Sequence, residues 1–350
     1  MKRWKILLPL AVVVGIGTAV GVGVAQQKPG PLDAWKPKFD PSTAKYVMKV
    51  SAVSSPAIEG FAVGFRIRDA IWERTKGQVY YDYYPLSQLG GEVEVLNQLT
   101  TGAVQGMLCS SVVAPKIGPR MGLVNLPFLI NTFDKLDKFT KDKALFQHML
   151  DGALDKGVVG VDVSGYGSYG WATTKPVRTL ADAKPLKFRI AEADVNQSIY
   201  KAWGFNVVPM PWPDVHIALK QGVIDALDHA AMVCNITKKF EVAKYFTQVD
   251  YAQGLLIHMY NKKWLESLPK DLQKIVIDVT KEECAKTRDL TRKQEDTEIA
   301  KAKAAGIEFI KLSPAEMDTL KKQSQVVFKE WDDKIGLEYL GKVEKLLAYR

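Results

Sequence analysis

The chain alternates between two periods of apolar residues, one typical of strands and one typical of helices. The segment KYVMKVSAV, residues 45–53, is rich in β-branched residues, and QVYYDYY, residues 78–84, alternates as a strand does. Residues 58–76 between them have the period of an amphipathic helix, which Gly77 ends. This β-α-β order predicts an α/β domain.

A short unit, in which a helix end is followed by a glycine and a buried strand, occurs twice. It reads LNQLTTGAVQGML around Gly102 and IALKQGVIDALD around Gly222. A leucine three residues before each glycine, Leu99 or Leu219, is placed to pack the helix on a sheet, while the glycine supplies the left-handed exit. Two such units about 120 residues apart predict two lobes.

A long helix is predicted over residues 268–305, because more than thirty residues separate Pro269 from Gly306 without a further proline or glycine. At about 1.5 Å per residue it extends roughly 50 Å, so we expect it to brace both lobes. Two further helices, from Ser313 to Lys334 and from Gly336 to Tyr349, complete the chain.

The N-terminal residues have the pattern of an export signal. A basic start is followed by an apolar run that ends in small residues at Ala25, which predicts a signal peptide over residues 1–25 and a periplasmic location. The alternative is an uncleaved anchor, since about 20 apolar residues can span a bilayer. Residues 26–43 contain four prolines and predict an extended linker.

Composition excludes few functions but limits some. The formal net charge is +9, and loss of the three basic residues of the signal lowers it to +6; these charges are dispersed, so nucleic-acid binding is not indicated. Cys109, Cys234 and Cys284 lie far apart without metal-ligand spacing. We expect them to be buried thiols.

The segment GYGSYG, residues 165–170, matches the G-x-G-x-x-G pattern of dinucleotide-binding loops. Such a loop must open a helix, but WATTKPVRTL follows and predicts a strand and a turn. A segment that crosses between two lobes fits these residues better. No phosphate-loop, zinc-protease, serine-hydrolase or haem-attachment motif occurs in the sequence, so neither catalysis nor a cofactor is predicted.

Several segments in order resemble the periplasmic solute-binding proteins of tripartite ATP-independent (TRAP) transporters, the DctP-like family. The match runs from Lys45 to Lys334 and includes YPLSQLGGEVEVLNQLTTGAVQGM, RTLADAKPLKFRI and VVPMPWPDVHIALKQGVIDALDHA. The resemblance implies a two-lobed, type II-like periplasmic-binding-protein fold with crossing hinge strands. It implies one lobe over residues 44–165 and about 256–285, a second over 166–255 and about 300–350, and a long helix spanning both.

The resemblance also implies that the chain captures a small carboxylate in the interlobe cleft and delivers it to a TRAP membrane permease. The family's carboxylate-binding arginine falls on Arg189, whose planar guanidinium matches a carboxylate. Trp212 matches a position where the family often places an aromatic ring against the ligand.

Three positions depart from well-known members. Tyr169 stands where sialic-acid and dicarboxylate binders often have a second arginine, which argues against a ligand with two separated carboxylates. Asp228 and His229 stand where glutamate and asparagine are common, and partly resemble a branch for 2-oxo and 2-hydroxy acids that sometimes holds a cation. Asp228 beside an anionic ligand is unfavourable unless a cation, a ligand hydroxyl or ammonium group, or a protonated His229 intervenes. Asp228 is therefore expected either to accept from a ligand hydroxyl or to help hold a metal ion; the alternative is that it caps or pairs within the second lobe.

On the first lobe, the family contacts the rest of the ligand near two pairs of serines. Ser54 and Ser55 follow the first strand, and Ser110 and Ser111 follow GMLC, so both pairs offer hydroxyl and amide groups at a strand end. Other possibilities are a binding protein of another transporter or sensor system and, with less support, a secreted enzyme. The sequence does not identify the ligand. The long helix and C-terminal extension allow a homodimer.

Overall fold

The computed structural model describes residues 32–349, so the predicted signal peptide, residues 1–25, lies outside the described residues. The chain divides into two units, one ending at Lys38 and one beginning at Phe39. The described part of the first unit contains one 3-10 helix, Asp33–Trp35.

The extended linker predicted for residues 26–43 does not continue past Phe39. In the second unit the ring of Phe39 stacks on Trp72, with 4.2 Å between ring centroids. Asp40 caps the 3-10 helix Pro41–Thr43, because its carboxylate accepts a backbone amide hydrogen bond of 3.0 Å. The prediction is therefore wrong for these last residues, which are ordered against the folded unit.

Strands of the second unit follow the β-rich segments of the sequence. They are β1 Tyr46–Ser51, β2 Val79–Tyr84, β3 Gly106–Ser110, β4 Val158–Thr173, β5 Lys187–Ile190, β6 Asn206–Pro209, β7 Ala226–Ala230, β8 Tyr245–Gln248, β9 Gln253–Asn261 and β10 Glu308–Lys311. The two strands predicted at 45–53 and 78–84 are confirmed as β1 and β2.

Helices alternate with the strands and then dominate the C-terminal part. They are α1 Glu59–Arg74, α2 Glu92–Thr101, α3 Phe133–Lys141, α4 Lys143–Leu150, α5 Leu180–Ala183, α6 Asp194–Ala202, α7 Val215–Lys220, α8 Ala231–Ile236, α9 Lys262–Ser267, α10 Lys270–Ala304, α11 Pro314–Ile335 and α12 Leu337–Leu347. Among these described residues, none of the helices combines the length and apolar character needed to cross a membrane.

The strands form one continuous sheet in two parts, which we name the first and second sheets. The first sheet has the order β2-β1-β3-β9 and ends on the first part of β4. The second sheet continues from the last part of β4 through β7, β5 and β6, and β8 with β10 joins β4 on another edge. Pairing is parallel within β1, β2 and β3 and within β5, β6 and β7, as α/β lobes require.

Strand β4 carries the chain from one sheet to the other. It pairs with β9 over Val158–Ser168 and with β7 over Tyr169–Thr173. Within it Gly167 has a φ of +99°, and a Cβ there would lie 2.6 Å from Glu295 Oε1, so this position requires glycine. The GYGSYG segment is therefore a crossing strand, as predicted, and not the start of a helix that binds phosphate.

Helix α10 runs along both parts of the fold, as its predicted length suggests. Over 35 residues it contacts α1, the crossing strand and α8 in turn. Arg66 of α1 donates to Thr287 at 2.8 Å, and three turns of helix later Asn235 of α8 donates to Glu298 at 2.7 Å. A single rigid helix thus connects elements that lie beside different sheets.

The two C-terminal helices contact elements of both predicted lobes. In α11, Trp331 donates to Ser198 of α6 at 3.3 Å. In α12, Tyr339 donates to the Leu145 carbonyl of α4 at 2.7 Å. The C-terminal extension therefore contacts segments that precede residue 165 and segments that follow it, and residue 165 is the predicted lobe boundary.

The two helix exits and the buried cysteines agree with the sequence pattern. Gly102 and Gly222 have φ values of +83° and +68°, and the leucine three residues before each is buried. The three cysteines are buried, unbridged thiols. In the core beside the second sheet, aromatic rings pack β4 and β5 against α6 and the segment that follows it: Trp171, Phe188, Tyr200, Trp203 and Phe205.

Candidate ligand-binding site

A cavity of about 460 Å³, counting space open to solvent, lies between the two sheets. The side from the first sheet, which we name the first wall, consists of Val53, Ser54, Phe61, Glu92, Ser110 and Val112. The second wall consists of Arg189, Ala191, Asn196, Trp212, Asp228 and His229, and Tyr166 and Tyr169 of the crossing strand lie between the walls. Parallel strands of both sheets end here, which is where α/β sheets bind ligands.

Arg189 is a buried cation held by the backbone of its own lobe. It lies on β5 between β6 and β7, and 5% of the residue is exposed. Its Nε and Nη2 donate to the Met210 carbonyl at 3.0 and 2.6 Å. Burial lowers the pKa of Arg189, and nearby Tyr169 and Asp228 oppose that shift. A guanidinium nevertheless stays charged in proteins, so the second wall presents a fixed positive charge.

Trp212, which the resemblance places against the ligand, lies beside Arg189 on the second wall. The Cζ of Arg189 is 5.6 Å from the centroid of its ring, and the Nζ of Lys239 is 4.4 Å from it. The ring of His229 contacts it with 4.6 Å between centroids. Trp212 therefore contacts two cations, and its ring stabilises both.

Tyr169 lies in the cavity as predicted, together with Tyr166, which the sequence analysis did not identify. Their hydroxyl oxygens are 2.6 Å apart, and the ring of Tyr169 stacks on Tyr251 with 5.6 Å between centroids. Burial raises the pKa of both Tyr166 and Tyr169 far above neutrality. The crossing strand therefore contributes neutral hydroxyls where a second arginine is absent.

Asp228 combines pairing inside its lobe with one unused acceptor. Its Oδ2 accepts hydrogen bonds from Asn196 at 2.8 Å and from Tyr251 at 2.7 Å. Its Oδ1 is buried and has no hydrogen-bond partner among residues 32–349. Burial raises the pKa of Asp228 to about 7, against those hydrogen bonds and the charge of Arg189.

His229 does not supply the positive charge considered in the sequence analysis. Its Nδ1 accepts a hydrogen bond of 2.9 Å from the Ala230 amide, which places the proton of the neutral ring on Nε2. Burial and the charge of Arg189 lower the pKa of His229 well below its usual value. Both observations favour a neutral His229 ring facing the cavity over the protonated ring considered in the sequence analysis.

The four predicted serines divide into two groups. Ser54 and Ser110 line the cavity, and the buried Oγ of Ser54 has no hydrogen-bond partner among the described residues. Ser55 lies instead at an adjoining opening, and its Oγ accepts from a backbone amide at 3.2 Å. Ser111 is fully buried and donates to Asn125 at 2.7 Å. Only one serine of each pair can reach a ligand in this arrangement.

Glu92 and Asn196 line the cavity but were missed in the sequence. Glu92 begins α2 after two glycines, and its carboxylate accepts from the Ser110 amide at 2.5 Å. Burial raises the pKa of Glu92, and the charge of Arg189 opposes that shift. The glycine pair before an acidic helix start was a usable signal for Glu92. Asn196 lies in the first turn of α6, which no motif indicated.

A metal ion has little support from the donor groups present. Among residues 32–349 no group of three or more His, Cys, Asp or Glu side chains is placed to hold a metal. Asp228, with His229 beside it in sequence, and Glu92 on the opposite wall are the acidic and histidine side chains that line the cavity. Hard cations usually take more oxygen ligands than these residues provide.

A cavity with a buried arginine lies between two α/β lobes joined through a crossing strand, an arrangement suited to binding a small anion. The chain belongs to bacterial extracellular solute-binding protein family 7, DctP, which residues 52–334 match. The protein thus captures a small organic anion in the periplasm for transport by a TRAP system. The family consists of solute-binding proteins of transport systems.

Relatives and solved structures agree with this assignment. The chain is 28% identical over 255 residues to the 2,3-diketo-L-gulonate-binding periplasmic protein YiaO of Escherichia coli, covering 70% of this chain and 75% of that protein. A TRAP solute-binding protein of Sulfurospirillum deleyianum with bound succinate has a TM-score of 0.80 and 26% identity, covering 87% and all of the two chains. One of Desulfovibrio salexigens with bound orotic acid has a TM-score of 0.82 and 21% identity, covering 87% and 99%.

Proposed function

We propose that Arg189 binds the carboxylate of the transported acid end-on. The observation that carries this proposal is the use of Nε and Nη2 by the Met210 carbonyl. A guanidinium has five N–H groups, so three remain, two on Nη1 and one on Nη2, and one from each nitrogen can hold a bidentate carboxylate. Because the arginine is already held by its own lobe, little entropy is lost when the ligand binds.

The ligand class is a small acid with one carboxylate at this site. Arg189 is the single arginine that lines the cavity described above, and Tyr169 stands where a second cation would be needed. The E. coli relative is named for a sugar acid with one carboxylate, which supports this class. A second carboxylate in the same cavity would face Glu92 and Asp228, and like charges there are unfavourable.

Ligand binding is expected to favour the closed arrangement of the two walls. A ligand held by Arg189 gains further contacts from Ser54 and Ser110 only when the first wall is close. A ligand shifts such an equilibrium by its difference in affinity for the two states. Trp212 and Phe61 then cover the apolar part of the ligand from opposite sides.

The remaining steps of transport follow from the sequence. We propose that residues 1–25 direct export and are removed after Ala25, with an uncleaved anchor as the alternative. The loaded protein then delivers its acid to the TRAP membrane permease. A homodimer through the long helix and C-terminal extension remains part of this proposal and is checked by light scattering of the purified chain.

A thermal-shift screen of the exported chain from residue 26 against organic acids tests the function. Binding raises stability by RT ln(1 + [L]/Kd), so a true ligand raises Tm in proportion to the logarithm of its concentration. The matched control for each active acid is its neutral amide, which keeps the shape and loses the charge. The proposal requires the amide to be inactive; equal shifts for acid and amide contradict it.

A further inference from the structure

Two buried oxygen atoms on the second wall have no hydrogen-bond partner among the described residues. They are Oδ1 of Asn196 and Oδ1 of Asp228, and each residue is 2% exposed. Both residues line the cavity, and the 2.8 Å hydrogen bond from Asn196 Nδ2 to Asp228 Oδ2 holds the two groups together. Leaving buried acceptors unpaired is unfavourable, so such atoms commonly mark a place for a ligand or water.

The hydrogen bonds that Asn196 and Asp228 already make determine which of their atoms are left for a ligand. Tyr251 also donates to Asp228 Oδ2 at 2.7 Å, so this oxygen is already used twice. The asparagine has committed its amide nitrogen to the same oxygen. Each residue therefore still offers one hydrogen-bond acceptor, its Oδ1 atom. A ligand that bonds to this atom must carry a hydrogen-bond donor.

A protein donor near this pair is the hydroxyl of Tyr200. It is fully buried and lies close enough to Asp228 to lower the pKa of that carboxyl. A hydroxyl supplies one proton, so it can serve only one of the two free oxygens. At least one acceptor of the pair is therefore left for a molecule in the cavity.

The charges around the cavity point the same way. Arg189 is the cation that holds the ligand's carboxylate, whereas Glu92 and Asp228 are acids on opposite walls. A ligand that carries a hydrogen-bond donor beside its carboxylate satisfies the acids, whereas an oxo group presents only lone pairs to them. A site built to bond a donor strongly disfavours an analogue without it, since its own polar groups are then left unpaired.

We infer that Asn196 and Asp228 form a donor-selecting subsite, and that the transported acid carries a hydroxyl or ammonium group close to its carboxylate. This inference rests on the proposed role of Arg189 in binding that carboxylate. It makes Asn196 and Asp228 specificity-determining residues for the choice between acids of equal size. A simple oxo acid or an unsubstituted acid is a poorer ligand for the same cavity.

Matched acids with one carbon skeleton test the inference by calorimetry. The probes are lactate, pyruvate and alanine, the corresponding 4-methylpentanoates, and gluconate, titrated at about pH 8 so that Asp228 carries its charge. We expect the best hydroxy or amino acid to bind at least about tenfold more tightly than its oxo counterpart. Comparison of the hydroxy with the amino members identifies which donor the site takes.

The Asp228→Asn variant then reverses the polarity of the subsite. The amide of the variant can donate a hydrogen bond, so the affinity for the oxo acid should rise relative to that for the hydroxy acid. The ratio of the two affinities should fall to about onefold or invert. Asp225→Asn is the matched control, because Asp225 lies three residues away outside the cavity and accepts from the Lys187 amide at 3.0 Å. This control should keep the wild-type preference.

The outcomes separate this inference from the proposed function. If the tightest wild-type binder carries neither a hydroxyl nor an ammonium group while Arg189→Ala still abolishes binding, the inference is wrong and the carboxylate site stands. If no acid binds, or Arg189→Ala leaves affinity unchanged, both fail. The wild-type comparison needs no variant, so a folding defect in Asp228→Asn does not rescue the inference.

Discussion

The two walls of the cavity differ in how their polar groups are held. On the second wall, Arg189, Asp228 and Asn196 are fixed by hydrogen bonds to groups of the same lobe. On the first wall, Glu92 is held by the Ser110 amide, but the buried Ser54 hydroxyl beside the apolar Val53 and Val112 has no hydrogen-bond partner among the described residues. The cation and most of the fixed polar groups therefore lie on the second wall before binding, whereas the first wall adds apolar cover and the Ser54 hydroxyl.

This difference indicates which wall should contribute most of the binding free energy. A preorganised charge in a dry site interacts strongly because it needs no rearrangement at the moment of binding. A hydroxyl that must also be desolvated contributes about 1 kcal/mol. The predictions below compare the walls and the strand between them, beginning with the largest expected effect.

Removal of the guanidinium should have the largest effect on affinity. We expect Arg189→Ala to weaken binding of the identified acid by about 2–5 kcal/mol, roughly 30- to several-thousand-fold, because the buried carboxylate loses its partner. Calorimetry measures this change. Arg178→Ala is the control, since Arg178 is 57% exposed and pairs with Glu308 at 2.6 Å. A change within about twofold for Arg189→Ala would show that the second wall does not hold the carboxylate.

The next effect concerns the crossing strand, which belongs to neither wall. Glu295 of α10 accepts from the Ser168 amide at 2.6 Å, and burial raises its pKa from 4.5 to about 7. The folded state therefore favours the protonated acid, so this contribution to stability is present below pH 4.5 and is lost as pH rises through about 7. Its full size is of order 3 kcal/mol.

Denaturation with urea at several pH values checks this sign. The difference in free energy of unfolding between wild type and Glu295→Gln should fall as pH rises from about 5 to about 8. Glu282→Gln on the same helix is the control, because the bond to Arg74 lowers the pKa of the exposed Glu282. A difference for Glu295→Gln that stays constant with pH would contradict the assigned protonation.

Loss of the indole should have a smaller effect on the second wall. We expect Trp212→Ala to weaken binding by about 1–2 kcal/mol, since the ring covers the ligand and stabilises the neighbouring cations. Trp212→Phe should lose less binding affinity than Trp212→Ala, because a smaller aromatic face remains. Trp264→Ala is the matched control, as Trp264 is similarly half-buried but lines a different pocket. Equal losses for both tryptophans would indicate a general loss of stability.

The smallest effects should come from the serines of the first lobe. Ser54→Ala should weaken binding by about 1 kcal/mol or less while leaving the free energy of unfolding nearly unchanged. Ser111→Ala should do the reverse, because its hydroxyl bonds Asn125 and not the cavity. Ser55→Ala should affect neither. A loss of affinity in Ser111→Ala equal to that in Ser54→Ala would contradict this division.

Much of the fold could be predicted because periodicity and glycine positions record local structure. The bounds of α10 and the helix exits at Gly102 and Gly222 follow from residues close in sequence. The positions of Arg189 and Trp212 in the cavity followed from the family resemblance and not from periodicity. These predictions needed only the order of elements along the chain.

What could not be predicted depends on side-chain direction. Adjacent residues such as Ser110 and Ser111 point to different surroundings, and no local pattern tells which one faces a cavity. Asn196 becomes relevant only because α6 brings it to Asp228, 32 positions away. The neutral state of His229 likewise follows from burial beside Arg189, which is a property of the assembled lobe.

The place of β9 in the first sheet has a consequence for biosynthesis. Strand β3 pairs on one side with β1, but its other side pairs with β9, which is made only after the whole of β4 to β8. A nascent chain that has emerged as far as β8 thus exposes an open strand edge, and such edges favour intermolecular pairing. Holding the polypeptide unfolded until synthesis is nearly complete avoids that aggregation.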